Sequence, residues 1–474
     1  MKLSMRLMTL LFCLYMILSI TKWTVFGEEL PSLKVSENGR YFVDQNGKPF
    51  FYLADTAWEL FHRLNREEAD EYLKIRAEQG FTVIHAVLLS EFSGLTVPNA
   101  YGDLPLENND PTKPVEAYFR HVDYIVEKAN SLGLVVGMVP TWGDKVNKLW
   151  GIGPQIFNEE NAFIYGNFLG ERYKNKKVLW VNGGDRPGEQ KKEIWRQIAR
   201  GLKAGREGRY LITYHGNGAL GKGSSLVFHN EDWLDFNMYY SGHTWAELSY
   251  EGITRDYNLR PVKPTVDGEP KYENHPYMDD GLGYHSNPAL WDGITRGTPS
   301  VIRENAYWNM LAGAAGHVYG CNDIWQYYDM KREPITHANT HWRKAIYFSG
   351  AVQMGYMRKL LESRPWYKLV PDQSIIIKGQ GRGRDHVQAA RADDGSFILA
   401  YITLGYPIEI DLNLLSGEKI NAYWFDPRKG TWKFIAEYDK KSIQEFNPPR
   451  SNPYGDWVLV LDDASRGYEV PKSK

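Results

Sequence analysis

Phe51-Tyr52-Leu53-Ala54, then Arg66 to Gln79, then Phe81 to Leu89: an apolar run, an amphipathic stretch and a second apolar run set the architecture of this chain. In the middle stretch Ala69, Tyr72, Leu73 and Ile75 or Arg76 follow a 3.6-residue period and Gly80 closes it, which predicts a helix between two strands. The unit recurs along the chain. After a helix around Val115 to Ala129 and a break at Gly133, Leu134 to Val139 reads as a third strand, followed by Val178 to Val181, Tyr210 to Tyr214, Phe236 to Tyr240, Pro264 to Val266 and His317 to Tyr319. A helix from His341 to Leu361 completes the eighth unit. Apolar strands alternating with amphipathic helices imply parallel βα units, and eight of them close a (β/α)₈ barrel, an α/β fold.

Outward from this repeat the pattern changes at both ends. Leu33 to Phe50 reads as a short hairpin turning at Asn38-Gly39 and Gln45-Asn46-Gly47, placed to lid the barrel's base or to start a second domain. Beyond Arg364-Pro365 the chain holds short alternating strands, among them Val387 to Ala390, Phe397 to Ile402, Ile420 to Phe425 and Trp457 to Leu461. That predicts a small antiparallel β-sandwich over residues 367–474, behind a barrel with its hairpin over residues 28–366. At 474 residues the chain has room for both.

Residues 1–27 read as a signal peptide. Lys2 and Arg6 precede an apolar run from Leu7 to Ile20, about 14 residues against the roughly 20 a bilayer span needs, and small Gly27 stands before Glu28 and Glu29. The mature protein is therefore expected to be exported, to the periplasm, the cell surface or the medium, with no stable membrane span. Cleavage removes Cys13 and leaves Cys321 alone, so no internal disulfide forms. It also removes Lys2, Arg6 and Lys22 and no acid, taking the formal charge from −2 to −5. No basic excess is left to grip nucleic acid.

The chemistry is concentrated at the strand ends, which share one face in a barrel of this kind. Asp55 and Trp58 follow the first strand, Trp142 the third, Asn182 and Asp185 the fourth, His215 the fifth, Tyr240 the sixth, Asp267 and Glu269 the seventh and Trp325 the eighth. Trp and Tyr pair a flat apolar face with a polar edge, which suits a sugar ring, and the chain carries 16 Trp and 31 Tyr. Cleaving a glycosidic bond takes two carboxyl groups, one to protonate the leaving oxygen and one to attack the anomeric carbon or activate water. Asp185, after the paired glycines of Val181-Asn182-Gly183-Gly184-Asp185, and Glu269, held extended by Pro270, are the candidate pair. Period-two alternation puts Asp267 on the same side as Glu269. Asp55, Trp58, Trp142, Asn182, His215, Tyr240, Asp267 and Trp325 are expected to bind substrate. The competing readings are a helix-capping Asp185, a structural ion pair at Glu269, and Glu273 as the nucleophile. There is no His-Glu-x-x-His motif, no phosphate-cradling loop and no Gly-x-Ser-x-Gly elbow, so neither metal nor cofactor is expected. His215, His229 and His243 read as hydrogen-bonding residues rather than metal ligands.

Leu53-Ala54-Asp55-Thr56-Ala57-Trp58, Val181-Asn182-Gly183-Gly184-Asp185, Asp267-Gly268-Glu269-Pro270-Lys271-Tyr272-Glu273 and Gly313 to Gly320 together resemble the apiosidase-like glycoside hydrolases of family 140. The resemblance covers nearly the whole mature chain. It implies a retaining clan in which the acid/base follows the fourth strand and the nucleophile the seventh, here Asp185 and Glu269. Asp stands where many clan relatives carry Glu. It further implies an exo-acting β-apiosidase releasing apiose from side chains of the pectic polysaccharide rhamnogalacturonan II, with a plant cell-wall oligosaccharide or polysaccharide as partner. The alternatives are a retaining glycosidase of another sugar, or a non-catalytic barrel that binds glycan or protein. Similar C-terminal domains carry a collagen-binding label.

Overall fold

The computed structural model describes residues 33–149, 151–205, 210–217, 223–244, 247–277, 296–440, 443–449 and 455–470. The stretch read as a signal peptide lies outside them. The expected hairpin is a three-stranded antiparallel meander, β1 (Lys34–Val35), β2 (Phe42–Val43) and β3 (Pro49–Phe50). Its role is to plug the barrel's base. Phe42 is wholly buried, with its ring 5.3 Å from Tyr52 and 5.1 Å from Phe236, at the N-terminal ends of two barrel strands.

The barrel consists of β4 (Tyr52–Thr56), β5 (Val83–Val87), β6 (Val135–Val139), β7 (Val178–Gly183), β8 (Ile212–His215), β9 (Asn237–Tyr239), β10 (Thr265–Asp267) and β11 (Gly316–Tyr319). They pair in parallel in the order β8-β7-β6-β5-β4-β11-β10-β9. The ladder is interrupted between β8 and β9. There the seam is held by the Asp235 N–H donating to Ile212 O (2.8 Å) and the Thr213 hydroxyl donating to Phe236 O (2.7 Å). All eight predicted strands are present.

The principal helices are α1 (Arg66–Glu78), α2 (Glu116–Ser131), α3 (Glu159–Arg172), α4 (Lys192–Gly205), α5 (Ser249–Tyr257), α6 (Pro299–Leu311) and α7 (Ser349–Glu362). Asn65 and Asn158 start α1 and α3 with capping boxes, each side chain accepting from the N3 amide. The helix predicted over His341 to Leu361 is two pieces, Trp342–Ala345 and α7, because Phe348 between them takes extended ψ.

Alternation along the barrel strands splits the apolar core in two. Val83, Val87, Leu179, Val181, Met238, Val266 and Val318 fill the interior, while Ile84, Met138, Trp180 and Ile212 pack under the helices. The second cluster continues into the C-terminal domain through Ala390, Leu399, Tyr401, Val458 and Val460. That domain has a six-stranded antiparallel sheet and a three-stranded one, giving the predicted sandwich. Thr431–Asp439, an edge strand with exposed Lys433 and Phe434, carries no clean alternation and is visible only in the structure. Arg303 of α6 grips Asp456 through two 2.7 Å bonds, Arg364 reaches Asp462 at 2.6 Å, and Tyr307 stacks on Tyr401 at 4.8 Å. Buried charge and stacked aromatics join the two domains across this boundary.

Candidate active site

Three of the predicted pocket residues face away from the barrel mouth. On β4, Tyr52 and Ala54 point inward, so Asp55 points out to the helices, where it accepts from Arg76 Nε (2.6 Å) and the Tyr72 hydroxyl (2.5 Å), fully buried. It is a structural ion pair. On β7, Leu179 and Val181 point inward and Asn182 outward, its side-chain amide donating to Trp195 O of α4 (2.9 Å). On β10, Val266 points inward, and Asp267 turns to the Ser241 hydroxyl (2.6 Å) and to Asn309 of α6 (3.1 Å). Asp267 and Glu269 therefore do not share a side, because the chain leaves strand geometry at Gly268 and the alternation ends there. Glu273, the rival nucleophile, accepts from the Tyr319 hydroxyl (2.6 Å) and the Gly350 amide (3.1 Å) and serves the fold.

The remaining predicted residues lie at the C-terminal mouth of the barrel. Gly183, Gly184 and Asp185 have φ of 98°, 107° and 52°, three successive left-handed conformations. A Cβ at Gly183 would meet His215 O at 2.3 Å, and one at Gly184 would meet Gly143 N and Trp142 at 2.9 Å. The paired glycines thus let the backbone approach the neighbouring loops where no side chain would fit, and the chain turns Asp185 toward the barrel mouth.

Opposite Asp185 stands Glu269, and His215 lies between them. Its Nε2 is 2.8 Å from Glu269 Oε2, an ion-pair contact rather than an aligned hydrogen bond, and its Nδ1 is 3.7 Å from Asp185 Oδ1. One oxygen of each carboxyl and one ring nitrogen of His215 all lie within 4.8 Å of one another. Tyr240 packs its ring edge-on to His215, centroids 5.3 Å apart, beside the two carboxyls. Trp58 and Trp142 wall the site, with ring centroids 5.5 and 5.6 Å from His215, and the Trp58 indole donates to the Tyr272 hydroxyl (3.1 Å). Trp325 belongs to the same inward cluster and packs 6.1 Å from Phe92.

The two carboxyls are driven apart in acidity. Burial and the charge of Glu269 lift Asp185 to about 7, against partial relief from His215 and Arg186. Burial pushes Glu269 up as well, but the close contacts and charges of His215 and His243 outweigh it and hold that carboxyl well below the usual range. His215 is raised in turn: burial opposes its charge, and Glu269 and Asp185 overcome that. One group thus stays a proton donor near neutrality while the other is a permanent anion.

Three neighbours of the pair, among them His243, which was read only as a hydrogen-bonding residue, were not among the expected catalytic or substrate-binding residues. His243 contacts Glu269 Oε1 at 3.1 Å, its ring stacks on His275 at 4.0 Å, and burial, reinforced by the charge of Asp185, raises the Glu91 carboxyl. His243 and Glu91 follow strands, a usable signal. His275 lies in a loop and carries none. His229 is remote and structural, bonded to Asn237 (3.1 Å) and Pro261 O (2.9 Å). Asp185, His215 and Glu269 are also a possible donor set for one divalent cation.

A parallel barrel with paired carboxyls and aromatic walls at its C-terminal mouth has the build of a sugar-cleaving enzyme, and comparison with known proteins places the chain among the glycoside hydrolases. It belongs to the family described as "Apiosidase-like, catalytic domain", which matches residues 36–368. Residues 370–462 match a "Putative collagen-binding domain of a collagenase". A solved glycoside hydrolase is 32% identical, with a TM-score of 0.82 over 92% of this chain and 98% of that one. A second, a glycoside hydrolase family 5 protein from Bacteroides vulgatus ATCC 8482, is 32% identical at the same TM-score, over 92% of this chain and 94% of that one. No protein of curated function matches the sequence. Among the described residues no helix is long and apolar enough to cross a membrane.

Proposed function

We propose that the protein is an exo-acting, retaining β-apiosidase that acts outside the cytoplasm on pectic side chains. The observation that carries the mechanism is the approach of one oxygen of Asp185 to one oxygen of Glu269, within 4.8 Å. Double displacement requires carboxyls about 5 to 5.5 Å apart, whereas inversion needs roughly 6.5 to 9.5 Å to leave room for a water. Glu269 attacks the anomeric carbon while Asp185 protonates the departing oxygen. Asp185 then takes a proton from water as that water displaces Glu269. The opposed acidities of the two groups fit these roles. Buried polar atoms without hydrogen-bond partners among the described residues, Asp185 Oδ1, Glu269 Oε2 and Trp142 Nε1, gather at the same place, as expected where substrate supplies the partners.

The sugar is proposed from membership of the apiosidase-like family, and the aromatic walls are compatible with any small sugar ring. The test is a screen on pectic oligosaccharides with released monosaccharides separated by chromatography, repeated with Asp185→Asn and Glu269→Gln. Release of free apiose that falls at least a hundredfold in both folded variants supports the proposal. Release of a different sugar corrects the specificity, and undiminished hydrolysis by both variants removes the mechanism.

A further inference from the structure

Glu269 does not present two equivalent oxygens. Oε1 is 3.1 Å from His243 Nε2. Oε2 has His215 Nε2 at 2.8 Å but no aligned hydrogen bond, although it is buried. The imidazole on Oε1 is firmly seated. Its face lies on His275, centroids 4.0 Å apart and planes 24° apart, and Tyr272 closes on it at 4.5 Å with an interplanar angle of 64°. His275 is itself pinned, its Nδ1 donating to Pro276 O at 2.6 Å. The Nδ1 of His243 has no hydrogen-bond partner among the described residues. A carboxylate only accepts, so Nε2 of His243 carries the proton it shares with Oε1.

We propose that Glu269 attacks through the oxygen on the His215 side, Oε2, and that His243, seated on His275, is a positioning residue that holds the other oxygen as the spectator. The inference rests on the double-displacement reading given above. In the first step a bond forms between the anomeric carbon and Oε2 as the bond from that carbon to the leaving oxygen breaks, and Asp185 gives its proton to the leaving oxygen. His215, whose contact is off-line, yields to the incoming carbon. Oε1 becomes the carbonyl oxygen of the glycosyl ester and keeps its hydrogen bond. In the second step water bonds to the anomeric carbon, Asp185 takes its proton, and the electron pair of the breaking bond returns to Oε2. Negative charge is then regained across both oxygens, so the donor on Oε1 strengthens as Glu269 departs. Its removal must slow the second step and spare or speed the first.

The test compares His243→Phe, which keeps a ring to stack on His275 but no donor, with His243→Gln, which keeps a donor nitrogen near the Nε2 position. The substrate is the 2,4-dinitrophenyl glycoside of the sugar released in the screen. For His243→Phe the account expects a burst of one equivalent of dinitrophenol, kcat and KM both down about tenfold as for one lost charge-assisted bond, and one sugar residue added to the intact mass. His243→Gln should restore turnover and abolish the burst. A fall in kcat without burst or adduct, or no change at all, overturns the assignment. If His243→Phe does not fold, His275→Ala, which frees the imidazole, must produce the same burst in milder form, and its absence overturns the assignment equally. Glu269→Gln run alongside separates the two levels: retained activity there rejects the parent mechanism, whereas an inactive Glu269→Gln with no adduct in the His243 variant rejects only the choice of oxygen.

Discussion

Replacing Glu269 by Gln should make Asp185 markedly more acidic. With the two groups within 4.8 Å, a unit charge contributes about 3.5 kcal/mol at an effective dielectric constant of about 20, or roughly 2.5 pH units. His215 gives some of this back. Its own charge is sustained chiefly by Glu269, so the variant loses part of the cation that now lowers Asp185, and a net fall of about one to two units remains. Asp185, near 7 in the parent protein, should then titrate near 5 to 6. The assay is a ¹³C NMR pH titration of protein labelled at aspartate carboxyls, with the Asp185 signal identified by its loss in Asp185→Asn. An unchanged midpoint, or one that rises, would refute the claim that the two carboxyls share one electrostatic environment.

Asp185→Asn should stabilise the protein at pH 8 and leave it unchanged at pH 4. The folded-state pKa is raised, so the stability this group supplies is present below its unfolded value and lost as pH rises toward 7; abolishing the titration recovers on the order of 1–2 kcal/mol at alkaline pH, read as melting temperature at the two pH values. Asp55→Asn should cost about 3–5 kcal/mol of stability by leaving buried Arg76 without its counter-charge, while KM in the surviving fraction stays the same, a split visible in urea titration beside kinetics. Dialysis against EDTA should leave kcat unchanged because the proposed steps pass protons only between Asp185 and the leaving oxygen or water. Added zinc should inhibit by bridging Asp185, His215 and Glu269, with the inhibition reversed by chelator.

The barrel was legible because each strand is an apolar run and each helix a periodic one, and the counting of units needed nothing else. Side-chain direction was harder to read. A strand of a parallel barrel is buried on both faces, so hydrophobicity does not alternate and a polar residue at its end shows no side. For that reason the sequence did not show that Asp55, Asn182 and Asp267 lie on the helix side, which their contacts with Arg76, Trp195 and Asn309 reveal. Asp185 and Glu269 could be singled out because each stands just past its strand, after glycine. Their shared histidines could not be ranked from sequence. His215 and His243 are separated from Glu269 by tens of residues, and their convergence on one carboxylate follows from barrel closure and loop path, not from any local motif.

The central claim is that one carboxyl carries the sugar while the other manages its protons. It is tested most directly by ¹H NMR of the hydrolysis products within the first minutes, before mutarotation equilibrates them. The account predicts that the first sugar to appear has the anomeric configuration of the bond that was cleaved. First release of the opposite anomer would contradict it.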